Sequence, residues 1–284
     1  MPPNATITPD HVLSALGKVR SGRLFDLGVT IAPETARLPG QLPYSISMAV
    51  TPDSMREMMK GAGIETDVGF AIDKVEMDLH TGTHVDALGH VARGDAMHGG
   101  ARVGEIVRDS GLAALASQDI PPIISRGVLL DVPKHRGGAH VTLDTPVHGW
   151  ELEEIAAGQG VKIRPGDALC VYSGREKFAA TNGGVWTRGA ERPGLHASCL
   201  PFVRDNDVSL IVWDMMDAAP NEYDIPWTMH GAIFAYGVSL VDNSLLEPLA
   251  DVCAEENRYE FMLTINPLNV IGGTGSPANP IAVF

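Results

Sequence analysis

The chain has 284 residues, 44% of them hydrophobic, 6% aromatic and 20% charged, the composition of an ordinary soluble globular protein. Its net charge of −14 argues against a surface of clustered Lys and Arg, so no nucleic-acid partner is expected. No apolar run approaches the ~18 residues that span a bilayer, and no basic segment leads into an apolar one at the start, so a cytoplasmic protein without a membrane partner is expected. In chain order, the first helix expected runs from Pro52 to Gly61. Val75, Met77 and Leu79 then alternate with Lys74, Glu76, Asp78 and His80, a period-two pattern that reads as a strand delivering His80 on its polar face. Thr81-Gly82-Thr83 turns the chain, and a helix from about Val85 would put Asp86 and His90 at i and i+4 on one face.

Three short apolar runs follow, at residues 127–132, 168–172 and 208–213, each reading as a strand buried on both faces. Pro165-Gly166-Asp167 and Asp205-Asn206-Asp207 supply turns before the second and third. Helices are expected between the strands, one opening near Thr145 with Glu151, Leu152 and Ile155 at helical spacing, another from Leu195 to Asn206. The alternation implies an α/β class. No internal repeat, low-complexity tract or charged linker marks a boundary, so residues 1–284 are expected to form one domain. Cys170, Cys199 and Cys253 are odd in number and far apart, which argues against a disulfide framework or a thiolate metal site.

The chemistry concentrates in residues 71–98, which hold four histidines, and within eleven residues fall His80, His84, Asp86 and His90. Imidazoles with a carboxylate suit Zn, Mn or Fe, and three protein ligands leave a coordination position open, as catalytic rather than structural sites do. An ion there lowers the pKa of water to about 7 and polarises a carbonyl, while a nearby fourth group, for which His90 is the natural candidate, moves the proton.

The segment His80-Thr81-Gly82-Thr83-His84-Val85-Asp86-Ala87-Leu88-Gly89-His90 resembles the signature of the metal-dependent cyclase-like hydrolase family, which includes bacterial kynurenine formamidases and isatin hydrolases. Residues 126–131, Pro165-Gly166-Asp167, Ser173-Gly174-Arg175, Gly194-Leu195-His196-Ala197 and Gly273-Thr274-Gly275-Ser276-Pro277 extend the resemblance through most of the chain. The resemblance implies a swivelling β/β/α fold, with a mixed sheet and flanking helices, in a homodimer or homotetramer. It also implies one divalent metal, Zn or Mn, on His80, His84 and Asp86, with His90 as catalytic acid/base. In the formamidase branch a further His and a Glu twelve residues later hold a second metal; here His230 is followed at that distance by Asp242. A shorter Asp is expected to fall short, which weakens the case for a second metal and leaves His230 and Asp242 as candidates for it or for contacts behind the first. Ala87-Leu88, where that branch has Ala-Pro, also leans away from formamidase.

The function expected is metal-dependent hydrolysis of a carbon–nitrogen bond in a small, cyclic amide, as in the isatin hydrolases. Arylformamidase and dienelactone-type lactonase activities stand as alternatives, because amide and ester carbonyls need the same centre. From other classes, His84, Asp86 and a distal His such as His230 match the donor set of a non-haem Fe(II) oxygenase, and a metal-binding protein without catalysis would keep the same residues.

Elsewhere the signals are weaker. Gly272-Gly273-Thr274-Gly275-Ser276 precedes Pro277 and Pro280, which preclude a phosphate-binding helix and favour a structural turn. His196 and Cys199 have helix-face spacing without the other marks of a catalytic pair, and His98, His135, His140 and His148 read as solvated loop residues. Trp186, Arg188, Trp213, Trp227, Phe234 and Tyr236 offer stacking area for a flat small-molecule substrate, and Arg175 or Arg188 a fork for a carboxylate.

Overall fold

The computed structural model describes residues 7–185, 191–223, 225 and 227–284. At its centre the strands Ile123–Asp131, Ala168–Tyr172, Leu210–Trp213 and Ser239–Asp242 lie side by side in that order, all parallel. Their near-continuous apolar sequences follow from burial on both faces. Val128, Leu130, Leu169, Val171, Ile211 and Trp213 pack on one side, and Leu129, Ala168, Cys170, Leu210 and Val212 on the other. Each large side chain buried completely contributes about 1.5–3 kcal/mol. Helices Gly149–Gly158, Cys199–Asp205 and Gly231–Tyr236 cover the first face, and Glu247–Glu256 the second.

Antiparallel strands extend the sheet to nine. Glu260–Ile265, Ile281–Val283 and Leu24–Asp26 continue it beyond Ile123–Asp131; His84–Asp86 and then Gly275–Pro277 continue it beyond Ser239–Asp242. The mixed sheet with flanking helices is the α/β architecture expected. Among the described residues no helix is long and apolar enough to cross a membrane.

The helix Pro52–Gly61 stands where it was expected, with Pro52 in its first turn and Thr51 Oγ1 accepting from the Ser54 amide at 3.2 Å. The helix expected from Leu195 begins at Cys199, because Gly194–Leu195 pairs as a short strand with Met216–Asp217.

Two expectations around the histidine cluster are corrected. The strand leading to His80 spans only Ile72–Glu76, pairs antiparallel with Ser45–Val50 in an exposed two-stranded ribbon outside the main sheet, and leaves Val75 46% exposed. Asp78 ends it: its carboxylate accepts from the Leu42 amide at 2.7 Å and its carbonyl from the Thr81 amide at 3.1 Å, a turn in place of a ladder. The helix expected from Val85 is instead the buried strand His84–Asp86, because it is held between Ser239–Asp242 and Gly275–Pro277. Pairing on both sides overrides local helical spacing, and His90 follows in the one-turn 3₁₀ helix Leu88–His90.

Candidate metal centre

His84–Asp86 brings two of the cluster's side chains to the sheet, and the turn before it folds His80 back over them. His80 Nδ1 lies 3.1 Å from Asp86 Oδ1, while its Nε2 hydrogen-bonds with Thr274 Oγ1 at 2.9 Å. This placement needs a glycine at 275, since a Cβ there would stand 2.6 Å from His80 Cε1 and 2.8 Å from the Val85 carbonyl. His84 Nδ1 donates to the Gly82 carbonyl at 2.9 Å, which leaves Nε2 facing Asp86 Oδ1 at 3.5 Å. A hydrogen bond at one ring nitrogen fixes the tautomer and presents the other as a ligand.

The opposite wall comes from distant sequence. His230 Nδ1 donates to Asp217 Oδ2 at 2.6 Å, and its Nε2 lies 3.6 Å from both Asp86 Oδ2 and Asp242 Oδ2. Asp217 Oδ1 in turn accepts from the Met229 and His230 amides, so one buried carboxylate fixes both the backbone and the ring of His230. Asp242 Oδ1 accepts from Trp213 Nε1, which turns Oδ2 toward His84 Nε2 at 3.9 Å. Asp242 thus reaches the edge of the cluster without joining either set of three donors that share one point. Its strand pairs directly with His84–Asp86, Asp242 opposite His84, so a short side chain reaches that far.

The donor set fits a divalent ion. Asp86 is completely buried, yet its Oδ2 has no hydrogen-bond partner. Such an atom carries a large desolvation cost unless a cation meets it. Ligands about 2.1 Å from a tetrahedral ion stand about 3.4 Å apart, close to the spacings of His84 Nε2 and His230 Nε2 from the Asp86 oxygens. His80, His84 and Asp86 can each direct one donor atom to a common point, as can Asp86, His90 and His230.

The electrostatics point the same way. Burial would raise the Asp86 carboxyl, but His90, His80 and His84 hold it far below the usual carboxylate range. Burial would lower His80 and His230; the hydrogen bond and charge of Asp86 raise the first, and Asp217 with Asp242 raise the second well above an ordinary imidazole. Three buried carboxylates thus draw positive charge to one point.

His90 differs from the rest. Its ring, 4.3 Å between centroids from His80, is open to a cavity of about 1100 Å³, and it has no hydrogen-bond partner among the described residues. Although the ring edge meets the cavity, the concave wall withholds bulk water; that desolvation, with His80, His230 and His84 adding to it and Asp86 opposing, pushes its pKa down to about 4. Trp227, Phe234 and Tyr236 line the same cavity.

All six residues singled out in the sequence, His80, His84, Asp86, His90, His230 and Asp242, meet at this point. Asp217 and Thr274 belong to it too and were not singled out as ligand-orienting groups. Trp213 is buried beneath the site, Arg175 turns to Glu176, and Trp186 and Arg188 lie outside the described residues. Cys199 donates its thiol to the Val147 carbonyl, and His196 pairs with Glu222, so these two form no dyad. Three histidines expected to be solvated have structural partners: His98 Nδ1 donates to the Phe234 carbonyl, His140 Nδ1 to the Val141 carbonyl, and His148 hydrogen-bonds with Ser198.

The family model described as "Putative cyclase" matches residues 25–220, a stretch that takes in the histidine cluster and Asp217 and ends before His230 and Asp242. A solved structure described as a novel cyclase is 28% identical, with 99% of this chain and 95% of that one covered and a TM-score of 0.87. Isatin hydrolase A from Ralstonia solanacearum is 18% identical over 99% of each chain, with a TM-score of 0.63. A predicted metal-dependent hydrolase from Bacillus stearothermophilus is 13% identical over 93% of this chain and 98% of that one, with a TM-score of 0.57. At the last two identities the likeness is one of fold. No curated protein matches the sequence.

Proposed function

Since the chain belongs to the cyclase family, we propose that it is a metal-dependent hydrolase that opens or cleaves a small, cyclic amide. The observation that carries this reading is the orphaned, buried Asp86 Oδ2 facing His230, with Oδ1 of the same carboxylate toward His84, at the foot of a cavity large enough for a small aromatic substrate. His80, His84 and Asp86 would hold one divalent ion, Zn or Mn, and that ion supplies Lewis acidity, lowering the pKa of water and polarising the scissile carbonyl.

The chain's own residues supply the rest. The Gly82 carbonyl and Thr274 Oγ1 fix the rings of His84 and His80, and Asp217 fixes that of His230. His90, without a partner and open to the cavity, is placed to accept a proton at a ring nitrogen from the attacking water and to return it to the leaving nitrogen. Trp227 and Phe234 wall the cavity and reduce the water around the reacting groups. An arylformamide or a lactone presents the same carbonyl to the same groups.

The test pairs elemental analysis of protein purified without added metal with anaerobic assays on isatin, N-formylkynurenine and a lactone. About one Zn or Mn per chain with ring opening is expected. Two ions per chain would make ligands of His230 and Asp242, and iron with oxygen-dependent turnover would overturn the hydrolase in favour of an oxygenase. Saturated metal without turnover across a carbonyl panel would leave a metal-binding protein. His90→Ala is expected to keep its metal and lose at least about 100-fold in kcat; near-normal turnover would remove His90 from proton transfer.

A further inference from the structure

The chemistry at the foot of the cavity leaves the mouth unexplained. Acidic residues outnumber basic ones 35 to 21, and several surface arginines find carboxylates: Arg102 pairs with Asp95, Arg204 with Asp205, and Arg23 with Glu256. Arg37 and Arg93, like the exposed Arg20 and Arg164, make no ion pair among the described residues, and they differ from those two in lining the cavity. Arg37 and Arg93 are both exposed, and neither side chain makes an ion pair or hydrogen bond with any described residue.

Their surroundings do not neutralise them. Asp242 is the one carboxylate on the cavity wall among the described residues, and Trp213 and the strand pairing with His84 hold it at the foot. Leu38, Leu200, Ile225, Trp227 and Phe234 make much of the remaining wall apolar. Their positions are built rather than incidental. Gln41 Oε1 accepts from the Leu38 amide at 2.8 Å and closes the turn that follows Arg37, while Arg93 sits at the tip of a two-residue strand pair with Ala96–Met97, three residues beyond His90. One further group looks for a polar ligand: Thr228, 7% exposed and on the cavity wall beside His230, has an Oγ1 without any hydrogen-bond partner.

We propose that Arg37 and Arg93 form an anion subsite, and that the substrate is an aryl or similarly flat amide carrying a carboxylate. The apolar body lies along Trp227 and Phe234, the carboxylate meets the two guanidinium forks at the mouth, and Thr228 offers a hydrogen bond to a polar group nearer the foot. Guanidinium suits this because its planar donors match a carboxylate geometrically and cannot lose their charge. The assignment of an amide rests on the hydrolase reading; the anion subsite itself does not need turnover to be seen.

The experiment is therefore a binding titration. Fluorescent 2-aminobenzoate and its neutral methyl ester are titrated onto metal-loaded and EDTA-stripped protein, for the wild type and for Arg37→Gln, Arg93→Gln and the double variant. The acid is expected to bind about 10-fold tighter than the ester in both metal states, to lose about 5–10-fold in each single variant, and to lose its advantage in the double, while the ester is unaffected. Acid affinity in the wild type is also expected to fall as salt rises from 50 to 500 mM. Equal binding of acid and ester, no measurable binding of the acid, or an acid preference that survives the double variant would overturn the subsite. A preference that vanishes with EDTA and ignores the arginines would place the carboxylate on the ion and overturn it equally. An arginine-dependent preference in a protein that hydrolyses no carboxylated aryl amide would leave the subsite standing and sink the hydrolase reading.

Discussion

The centre has two walls built in different ways. His80, His84, Asp86 and His90 come from eleven consecutive residues, and the Gly82 carbonyl holds His84 from within that stretch, while Thr274, far along the chain, holds His80. Asp217, His230 and Asp242 come from three elements, the short strand Met216–Asp217, the start of the helix Gly231–Tyr236 and the end of Ser239–Asp242, and side chains hold them in place: Asp217 holds His230, and Trp213 holds Asp242. Asp86 joins the walls, with Oδ1 toward His80 and His84 and Oδ2 toward His230. The near wall crowds its ligands into one short stretch seated against Thr274 and Gly275; the far wall gathers separate residues through buried side-chain hydrogen bonds. The first should be sensitive to packing behind its rings, the second to any change in a carboxylate or indole behind a ligand.

The largest effect is expected at the junction. Asp86→Asn keeps the shape but removes the charge that both walls share, and metal affinity should fall by more than about 100-fold, read by titration with a competing chelator. Retained metal would mean that the walls bind independently. Asp217→Asn is expected to cost about 10–100-fold in metal affinity. An amide there cannot accept from His230 Nδ1 and also from the Met229 and His230 amides without turning its NH₂ toward a donor. Wild-type affinity in this variant would show that the far wall does not depend on its buried partners.

Gly275→Ala tests the near wall through the backbone. The added methyl would stand 2.6 Å from His80 Cε1, with the Val85 carbonyl at 2.8 Å barring retreat. The ring must shift, and overpacking of this kind costs about 1–3 kcal/mol, visible as a lower thermal midpoint with weaker metal binding. An unchanged midpoint would show that His80 is less tightly seated than its bonds to Thr274 and Asp86 imply.

The same contrast explains what the sequence made legible. Residues 168–172 read as a buried strand because both faces are covered, and the run is apolar throughout. Residues 84–86 misled, because their strand state comes from two neighbours far away in sequence, and local spacing carries no trace of Ser239–Asp242 or Gly275–Pro277. Val75, Met77 and Leu79 misled in the other direction: alternation announced a strand, but Asp78 ended it, and the two-stranded ribbon that formed is exposed. In the site, the four near-wall residues announced themselves by density. His230 and Asp242 emerged only by resemblance to a family pattern. Asp217 and Thr274 stood alone, one in an apolar stretch, the other in a glycine-rich turn. Asp217 did leave a signal, as an acid soon after the carboxyl end of a buried parallel strand, where open α/β sheets place their ligands.

The smallest effect expected is also the sharpest probe of the far wall. Trp213→Phe keeps an aromatic ring but removes the Nε1–H that Asp242 Oδ1 accepts, leaving a buried carboxylate oxygen without its donor. Leaving such a group unsatisfied costs about 1–3 kcal/mol, so a thermal midpoint lower by roughly 2–12 °C is expected for a chain of this size. Metal affinity should fall by less than about 10-fold, because His230 keeps Asp217, and His84 keeps the Gly82 carbonyl. The comparison with Asp86→Asn then decides what Asp242 is. If Trp213→Phe weakens metal only slightly, Asp242 acts from behind, steering His84 and His230 by charge. A loss of metal as deep as that in Asp86→Asn would make Asp242 a ligand in its own right, and the far wall would then bind metal as directly as the near one.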